Sequence, residues 1–282
     1  MPIEDLYRAF SVLEEAGWVR EEIVVSKRER DGVPLEFPIV SFRTIGKGSA
    51  VWILSGIHGE EPAGPNALAE GVDYIKKLGQ ETSVVLIPMC NPLGYMSNWR
   101  YLNAKTWTEG CEVHSVGDSG HVLPDLNNPM VPRAPKALSP ESGALVKHVL
   151  RLAKDYPPVM SIDLHEDDLI NEGYVYSQGS RNTIAMKIID ILAAKGVAIK
   201  MQGQTRFHER ITNGIVSSTG DGSIDELLAS ERVIVGGKFV GGPHASVAIV
   251  VETPARAMSL AKRKDAHLEI IKNLNSFLRM ET

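Results

Sequence analysis

Four short apolar runs constrain what this chain can fold into: Val51-Trp52-Ile53-Leu54 and residues 84–89, 159–164 and 247–251. Apolar runs of this length, bounded by turn residues, read as strands buried on both faces. A stretch of helical spacing lies between each successive pair of them. Strands alternating with helices imply an α/β fold: a mixed, mostly parallel, twisted sheet with helices on both faces. The 282 residues show no internal repeat and no linker. One domain spanning 1–282 is the simplest organisation for a chain of this size.

Local signals fill in the rest. Leu6, Phe10, Leu13 and Ala16 predict a helix over 3–16. A strand at 38–45 followed by one at 50–55, with Gly46-Lys47-Gly48-Ser49 between them, predicts an antiparallel pair. Residues 65–78 read as a helix closed by Gly79. Ser139 as N-cap and Pro140 in the first turn open a helix to about 154. A short strand at 173–177, a helix at 182–194 ending at Gly196, a short helix at 224–229 and a final helix at 255–279 complete the pattern, with 203–223 read as polar loop. Residues 91–138 lack periodicity, and so long a segment without elements is often functional.

Composition excludes several classes. Cys90 and Cys111 are the only cysteines. They rule out a multi-disulfide framework and any thiolate-rich metal site, and both read as reduced and structural. Any bound metal must draw mainly on imidazole and carboxylate, and eight histidines leave that open. The net charge, 30 − 35 = −5, offers no basic excess for nucleic acid or an anionic membrane. The N-terminus lacks a basic stretch leading into an apolar one, and no apolar run approaches a membrane span. The expectation is a cytoplasmic protein.

In open α/β sheets ligands bind beyond the carboxyl ends of strands, and four such ends carry reactive groups here. After 51–55 come His58 and Glu61, spaced so that their side chains can converge; read alone, the pair is a surface turn. After 159–164 comes His165, which alone reads as a histidine bonded to loop backbone. Together the three form a ligand class that catalytic zinc uses. After 247–251 comes Glu252, either an acid at a helix start or a general base. After 84–89 comes a segment leading to Arg100, which reads as a surface arginine or as an oxyanion partner.

Five motifs follow one another: Ile57-His58-Gly59-Glu60-Glu61-Pro62, Asn91-Pro92-Leu93-Gly94-Tyr95, Asp125-Leu126-Asn127-Asn128, Asp163-Leu164-His165 and Val251-Glu252-Thr253. Their order resembles the zinc carboxypeptidase superfamily, which includes carboxypeptidase A-like exopeptidases and the aspartoacylase and succinylglutamate desuccinylase branch. The resemblance spans roughly residues 50–255. It implies His58, Glu61 and His165 as ligands of one zinc ion per chain. It implies Glu252 as the catalytic glutamate, passing a proton from attacking water to the leaving amine. Arg100, nine residues after Asn91, would polarise the scissile carbonyl as in the aspartoacylase branch. Asn127 would help hold the substrate carboxylate. Asp163 is a candidate hydrogen-bond acceptor for a ligand histidine.

Two departures bear on substrate. The superfamily places a carboxylate-gripping arginine where this chain has Asn128, so a bidentate grip is lost there; Arg133, Arg206 or Arg210 are the candidate replacements. Carboxypeptidase A-like enzymes also carry a late mobile tyrosine, whereas no tyrosine follows Tyr176 here, leaving His208 or His244 for that space. Glu166, Asp167 and Asp168 read as a solvated acidic loop, and the 206–210 run as either a substrate-facing loop or a solvated segment. His148 and His267 fall on helices; His114 and His121 receive no role. The expected function is a zinc-dependent, carboxypeptidase-like hydrolase of an amide or peptide bond next to a carboxylate-bearing residue, acting on a small peptide. The alternatives are an N-acyl amino acid deacylase and an inactive peptide-binding relative. The chain ends 30 residues after Glu252, mostly in helix, which favours the carboxypeptidase-like reading.

Overall fold

The structure, a computed structural model, describes residues 1–30, 33–100, 117–179, 182–217 and 220–281. Cys111 and His114 lie outside the described residues. The chain begins with α1 (Ile3–Ala9), α2 (Ser11–Glu15), β1 (Val19–Arg30), β2 (Val33–Arg43) and β3 (Ala50–Ser55). It continues through α3 (Ala63–Glu70), α4 (Val72–Glu81), β4 (Ser83–Ile87), α5 (Pro92–Ser97), α6 (Pro140–Leu152), β5 (Pro158–Asp167), β6 (Tyr174–Gly179) and α7 (Asn182–Ala194). Last come β7 (Gln202–Gln204), β8 (Arg210–Thr212), β9 (Ile215–Val216), α8 (Ile224–Ala229), β10 (Arg232–Val235), β11 (Lys238–Gly241), β12 (Val247–Pro254) and α9 (Leu260–Glu281).

Among the described residues one ten-stranded sheet runs β1-β2-β4-β3-β5-β12-β6-β9-β8-β7, and β10 and β11 form a separate pair. The centre is parallel, β4, β3, β5 and β12 in turn, with β2 and β6 antiparallel on its flanks. Helices cover both faces. On one side Ala67 and Leu68 of α3, Ile184 and Ile188 of α7, and Ile270 and Leu274 of α9 pack on Ile53, Ile162 and Ile249. On the other, Leu145 and Val149 of α6 and Leu227 of α8 pack on Trp52, Leu54 and Ile87. The α/β, mostly parallel, two-faced fold expected from the apolar runs is the one observed.

The antiparallel pairing of 38–45 with 50–55 does not form. Every residue of β3 is buried, and a strand apolar on both faces gains most at the centre of a sheet. Both its edges are taken, by β4 and β5. β2 therefore pairs with the outer edge of β4, through Phe42↔Leu86. β1, unforeseen in the sequence, is rich in Arg, Lys and Glu and sits at the sheet edge, where charge guards against edge-to-edge association.

Helical expectations fared unevenly. Ser139 caps α6 in a reciprocal capping box with Ser142, and Pro140 takes the first turn. α7 and α8 have the predicted bounds. The 3–16 helix divides at Phe10, and the 65–78 helix divides at Gly71, with Gly79 inside α4 against Trp18. The final helix begins at Leu260 because β12 runs on through Pro254, and Ala255 N then donates to Asp167 O at 2.7 Å. Two short strands, β8 and β9, lie within the stretch read as loop at 203–223, and β7 overlaps its start. No helix among the described residues is long and apolar enough to cross a membrane.

Candidate metal centre

The centre forms where three parallel strands end together. Along β5, side chains alternate: Met160, Ile162 and Leu164 enter the core beneath α3 and α9, while Ser161, Asp163 and His165 face the opposite side. β12 runs parallel to β5 with Glu252 directly opposite His165. Strand parity thus places Glu252 beside His165 on one face. β3 delivers the third group, since its chain turns at Gly56 into the 57–62 loop and then into α3.

That loop is held by a second one. Asn91 caps α5, accepting from Gly94 N at 2.9 Å, with Pro92 in the first turn. Its Nδ2 donates to Ile57 O at 3.3 Å and to Arg100 O at 3.1 Å. The two backbones touch: a Cβ on Gly59 would lie 2.1 Å from Gly94 C, and one on Gly94 would lie 2.4 Å from Trp99 O. Both positions therefore require glycine, which gives the His-Gly-Glu-Glu and Asn-Pro-Leu-Gly motifs a physical reason. The interlock also carries Arg100 toward the centre.

His58, Glu61 and His165 each offer a ligand atom, and these atoms lie within 4.8 Å of one another. His58 Nδ1 is 2.8 Å from Glu61 Oε1, His165 Nδ1 is 2.9 Å from Glu61 Oε2, and the two Nδ1 atoms are 3.1 Å apart. His165 Nε2 faces Asp163 Oδ2 at 3.2 Å. That contact assigns the proton to Nε2 and turns the Nδ1 lone pair inward. Two ring nitrogens and a carboxylate converging on one point repel unless a cation lies between them, so this donor set fits a divalent metal. It matches the two-histidine, one-carboxylate class of catalytic zinc.

The electrostatics agree. Burial pushes His58 down to about 3, with Arg100 acting in the same direction. Burial also opposes charge on His165, yet the Asp163 and Glu61 carboxylates hold it well above the ordinary histidine value. Glu61 is held well below the usual carboxylate range despite its burial, by the two histidines. His58 is thus kept neutral with a lone pair to offer, while the two carboxylates hold positive charge on His165. Burial pushes Glu252 up to about 8; His165 and Arg100 act against this shift, while Glu61 and Asp167 add to it. The Oε2 atom of Glu252 is buried without a hydrogen-bond partner among the described residues. Arg100 Nη1 lies 2.9 Å from both Glu60 Oε1 and Glu61 Oε1. Burial works against the guanidinium charge, but Glu61 and Glu60 hold it on.

The other predicted positions lie differently. Asn127 and Asn128 are exposed, in a turn where both backbone amides donate to Asp125 Oδ1 at 2.9 Å. Asn128 Oδ1 accepts from Met130 N. Arg133 forms a two-pronged ion pair with Glu226, at 2.7 and 2.5 Å, and its Nε donates to Pro124 O. Arg206 reaches Asp168 at 3.4 Å and stacks on Phe207, while Arg210 is exposed. His208 and His244 both have left-handed backbone, and His244 lies 3.6 Å from Glu231. His148 and His267 belong to the core rather than the surface. Cys90 is buried against the β3–β4 core.

Several groups near the centre were not foreseen. Glu166 and Asp167, expected in a solvated loop, are buried because β5 extends through them. Glu166 pairs with Arg263, and Asp167 accepts from Tyr174 Oη at 2.8 Å. The sequence carried little signal for them: three polar residues in a row break the alternation of the strand, and Glu166 takes a position on the face that Ile162 and Leu164 bury. On the Asp163 face, α8 packs across β5, β6 and β12 and carries Asp225, whose Oδ2 accepts from Gln178 Nε2 at 3.2 Å. Ser119 N donates to Gly222 O at 2.8 Å, which brings Asp118 and Asp221 to the same place. Burial pushes Asp225 up to about 8, with Asp221 adding to the shift, and pushes Asp118 up to about 6. Asp163 Oδ1, facing this group, is buried and without a hydrogen-bond partner among the described residues.

No family model and no curated protein matches the sequence. Solved structures do match. A protein named "putative metallopeptidase" from Shewanella amazonensis is similar over 100% of this chain and 94% of its own, with a TM-score of 0.73 at 20% identity. The carboxypeptidase A of Helicoverpa armigera is similar over 98% of this chain and 71% of its own, with a TM-score of 0.57 at 13% identity. A metallo-carboxypeptidase of Pseudomonas aeruginosa, solved with (2-guanidinoethylmercapto)succinic acid, is similar over 98% and 69%, with a TM-score of 0.55 at 14% identity. At these identities the likeness is one of fold, and the chain has the zinc carboxypeptidase-like fold that its ordered motifs resemble.

Proposed function

We propose that this protein is a zinc-dependent hydrolase of carboxypeptidase type, cleaving an amide or peptide bond next to a carboxylate-bearing residue. One observation carries the reading: His58, Glu61 and His165 converge from three segments, and Glu252 stands beside His165 on the neighbouring strand. Zinc held by these three would supply Lewis acidity to an attacking water and to the scissile carbonyl. Glu252 takes the proton from the attacking water and hands it to the leaving nitrogen, a task that suits a carboxylate poised near neutral pH. Arg100 stabilises the negative charge growing on the carbonyl oxygen. Asp163 fixes the His165 ring through its Nε2–H.

Two features bear on substrate. Glu226 occupies the Arg133 guanidinium, so the charge missing at Asn128 is not made up there. Asn127 and Asn128 remain the proposed carboxylate contacts, as exposed neutral side chains. Asp118, Asp221 and Asp225 lie together on the Asp163 side of the centre, where a substrate's cationic group would offset the burial and mutual repulsion that hold protons on Asp118 and Asp225, so the group favours a cationic substrate. The Pseudomonas aeruginosa neighbour was solved with a ligand bearing a guanidino group. Peptidase is preferred to N-acyl amino acid deacylase because 98% of the chain aligns with carboxypeptidase folds, over 69–71% of their own length. A panel of free-carboxyl peptides with basic, neutral and acidic C-terminal residues, beside N-acyl amino acids, tests the choice. Zinc-dependent cleavage of the peptides is expected, fastest for basic ends. Hydrolysis of the N-acyl amino acids alone would move the assignment to deacylase.

A further inference from the structure

The reverse face of the same strand ends carries a buried ion pair that the proposed chemistry leaves unused. Glu166 follows His165 and points away from the centre, beneath α3 and α9. Its carboxylate accepts from Ala63 N, the first residue of α3, at 2.7 Å. α3 has Pro62 at its N-cap and no side-chain cap from its own sequence, so Glu166 caps it from a different strand. In return, Glu166 N donates to Glu61 Oε2 at 3.1 Å. The 61–63 turn and the end of β5 are thus stitched together twice, and one stitch is made on a ligand carboxylate.

Arg263 of α9 completes the arrangement. Its Nε pairs with Glu166 Oε1, and its Nη1 donates to Ala255 O and, at 2.6 Å, to Met258 O. Those carbonyls belong to the segment that leaves β12 just after Glu252. The Glu166 side chain is fully buried and that of Arg263 is nearly so. Burying an ion pair brings a desolvation penalty that well-packed apolar residues avoid. A pair retained only for stability has no reason to spend its polar atoms on three chemistry-bearing segments. Here they are spent that way: on the turn holding His58 and Glu61, on the strand holding His165, and on the exit from Glu252.

We propose that Glu166 and Arg263 are positioning residues, a clamp behind the sheet that holds the ligand turn, the His165 strand end and the Glu252 strand end in fixed relation. This rests on the reading of His58, Glu61 and His165 as metal ligands. The clamp touches neither substrate nor metal. It acts through Glu61 and through the α3 N-terminus, and it predicts that metal binding depends on a pair on the far face of the sheet.

The test compares the wild type with Glu166→Gln and Arg263→Lys. The glutamine side chain still offers an acceptor to Ala63 N but loses the charge facing Arg263. The lysine side chain keeps the cation but cannot reach Glu166 and two carbonyls at once. Zinc dissociation constants from chelator competition and the visible spectrum of the Co2+-loaded protein are the readouts, with thermal melting of the apo form as the folding control. Zinc affinity is expected to fall about 10–100-fold in each variant, the usual range for outer partners of metal ligands. A shifted Co2+ spectrum and a lowered kcat at near-constant KM are expected alongside. Folded variants with wild-type zinc affinity and an unshifted Co2+ spectrum would overturn the proposal. If neither variant folds, the pair is a folding element and the proposal is likewise overturned. A wild type that takes up no zinc would sink the reading of the centre itself, and the clamp with it.

Discussion

Replacing Gly64 by alanine is expected to strain the seam on which the centre depends. Gly64 lies in the first turn of α3, just past the ligand turn, where the helix rests on the end of β5. A Cβ there would sit 2.7 Å from Leu164 O and 2.9 Å from Leu164 Cβ. Carbon contacts are optimal at roughly 3.5–4.0 Å, and the Leu164 backbone is pinned between two neighbouring strands. α3 must therefore move away by roughly half an ångström or more. Overpacking of this kind costs about 1–3 kcal/mol, while alanine in a helix regains about 0.5–1 kcal/mol over glycine. The clash wins because its partner is backbone, leaving a net loss of about 1–2 kcal/mol. At about 2–4 °C per kcal/mol for a large domain, Tm should fall by about 2–8 °C. Thermal melting of the apo protein, followed by circular dichroism, reads this, and a zinc titration on the same samples reads the displaced turn as weaker binding. An unchanged or raised Tm with unchanged zinc affinity would show that α3 does not press on β5, and the packing argument would fail.

Three further outcomes are expected. Glu226→Gln should destabilise the fold by about 1–3 kcal/mol, because the part-buried Arg133 guanidinium loses its charged partner; zinc content should not change, and a urea midpoint within error of wild type would refute the pairing. His148, buried and bonded to Ser41 at 2.9 Å, is pushed down to about 4, chiefly by burial. Its folded value lies below the unfolded one of about 6.5, so the unfolded chain takes up the proton first and stability falls as pH drops from about 6.5 toward 4. The loss between pH 7 and pH 5 should therefore be smaller in His148→Gln, by on the order of 2 kcal/mol, and equal slopes in urea titrations would contradict this. Asp225→Asn should lower kcat/KM for peptides with basic ends by about tenfold while sparing neutral ones, the order expected for one lost charge-assisted contact at a buried carboxyl that a bound cation would ionise; a uniform loss across the panel would contradict a role in recognition.

The central strands were legible because burial on both faces leaves a plain apolar signature, and the strand ends followed from it. His58, Glu61, His165 and Glu252 could be brought together in advance because they stand at or just beyond the ends of such strands, in an order that resembles a known superfamily. Partner choice was not legible. The sequence places 38–45 next to 50–55, but that β4 slips between them depends on how much apolar surface each strand must hide. β1 was missed because its charged residues mark an edge that only the finished sheet defines. Glu166, Arg263 and Glu226 escaped notice for a similar reason: a charged residue among others looks solvated until its partner arrives from far along the chain. Arg133 shows the converse error, since a free-looking arginine near a motif was already bound to Glu226 on another element.

The most direct measurement is made on Glu252→Gln: zinc per chain by elemental analysis, together with hydrolysis of the peptide that the wild type cleaves best. One zinc per chain with turnover reduced by at least about 10² is the predicted result, since metal ligation is intact and the general base is gone. Full turnover in that variant, or a wild type that carries no zinc and still cleaves, would contradict the account.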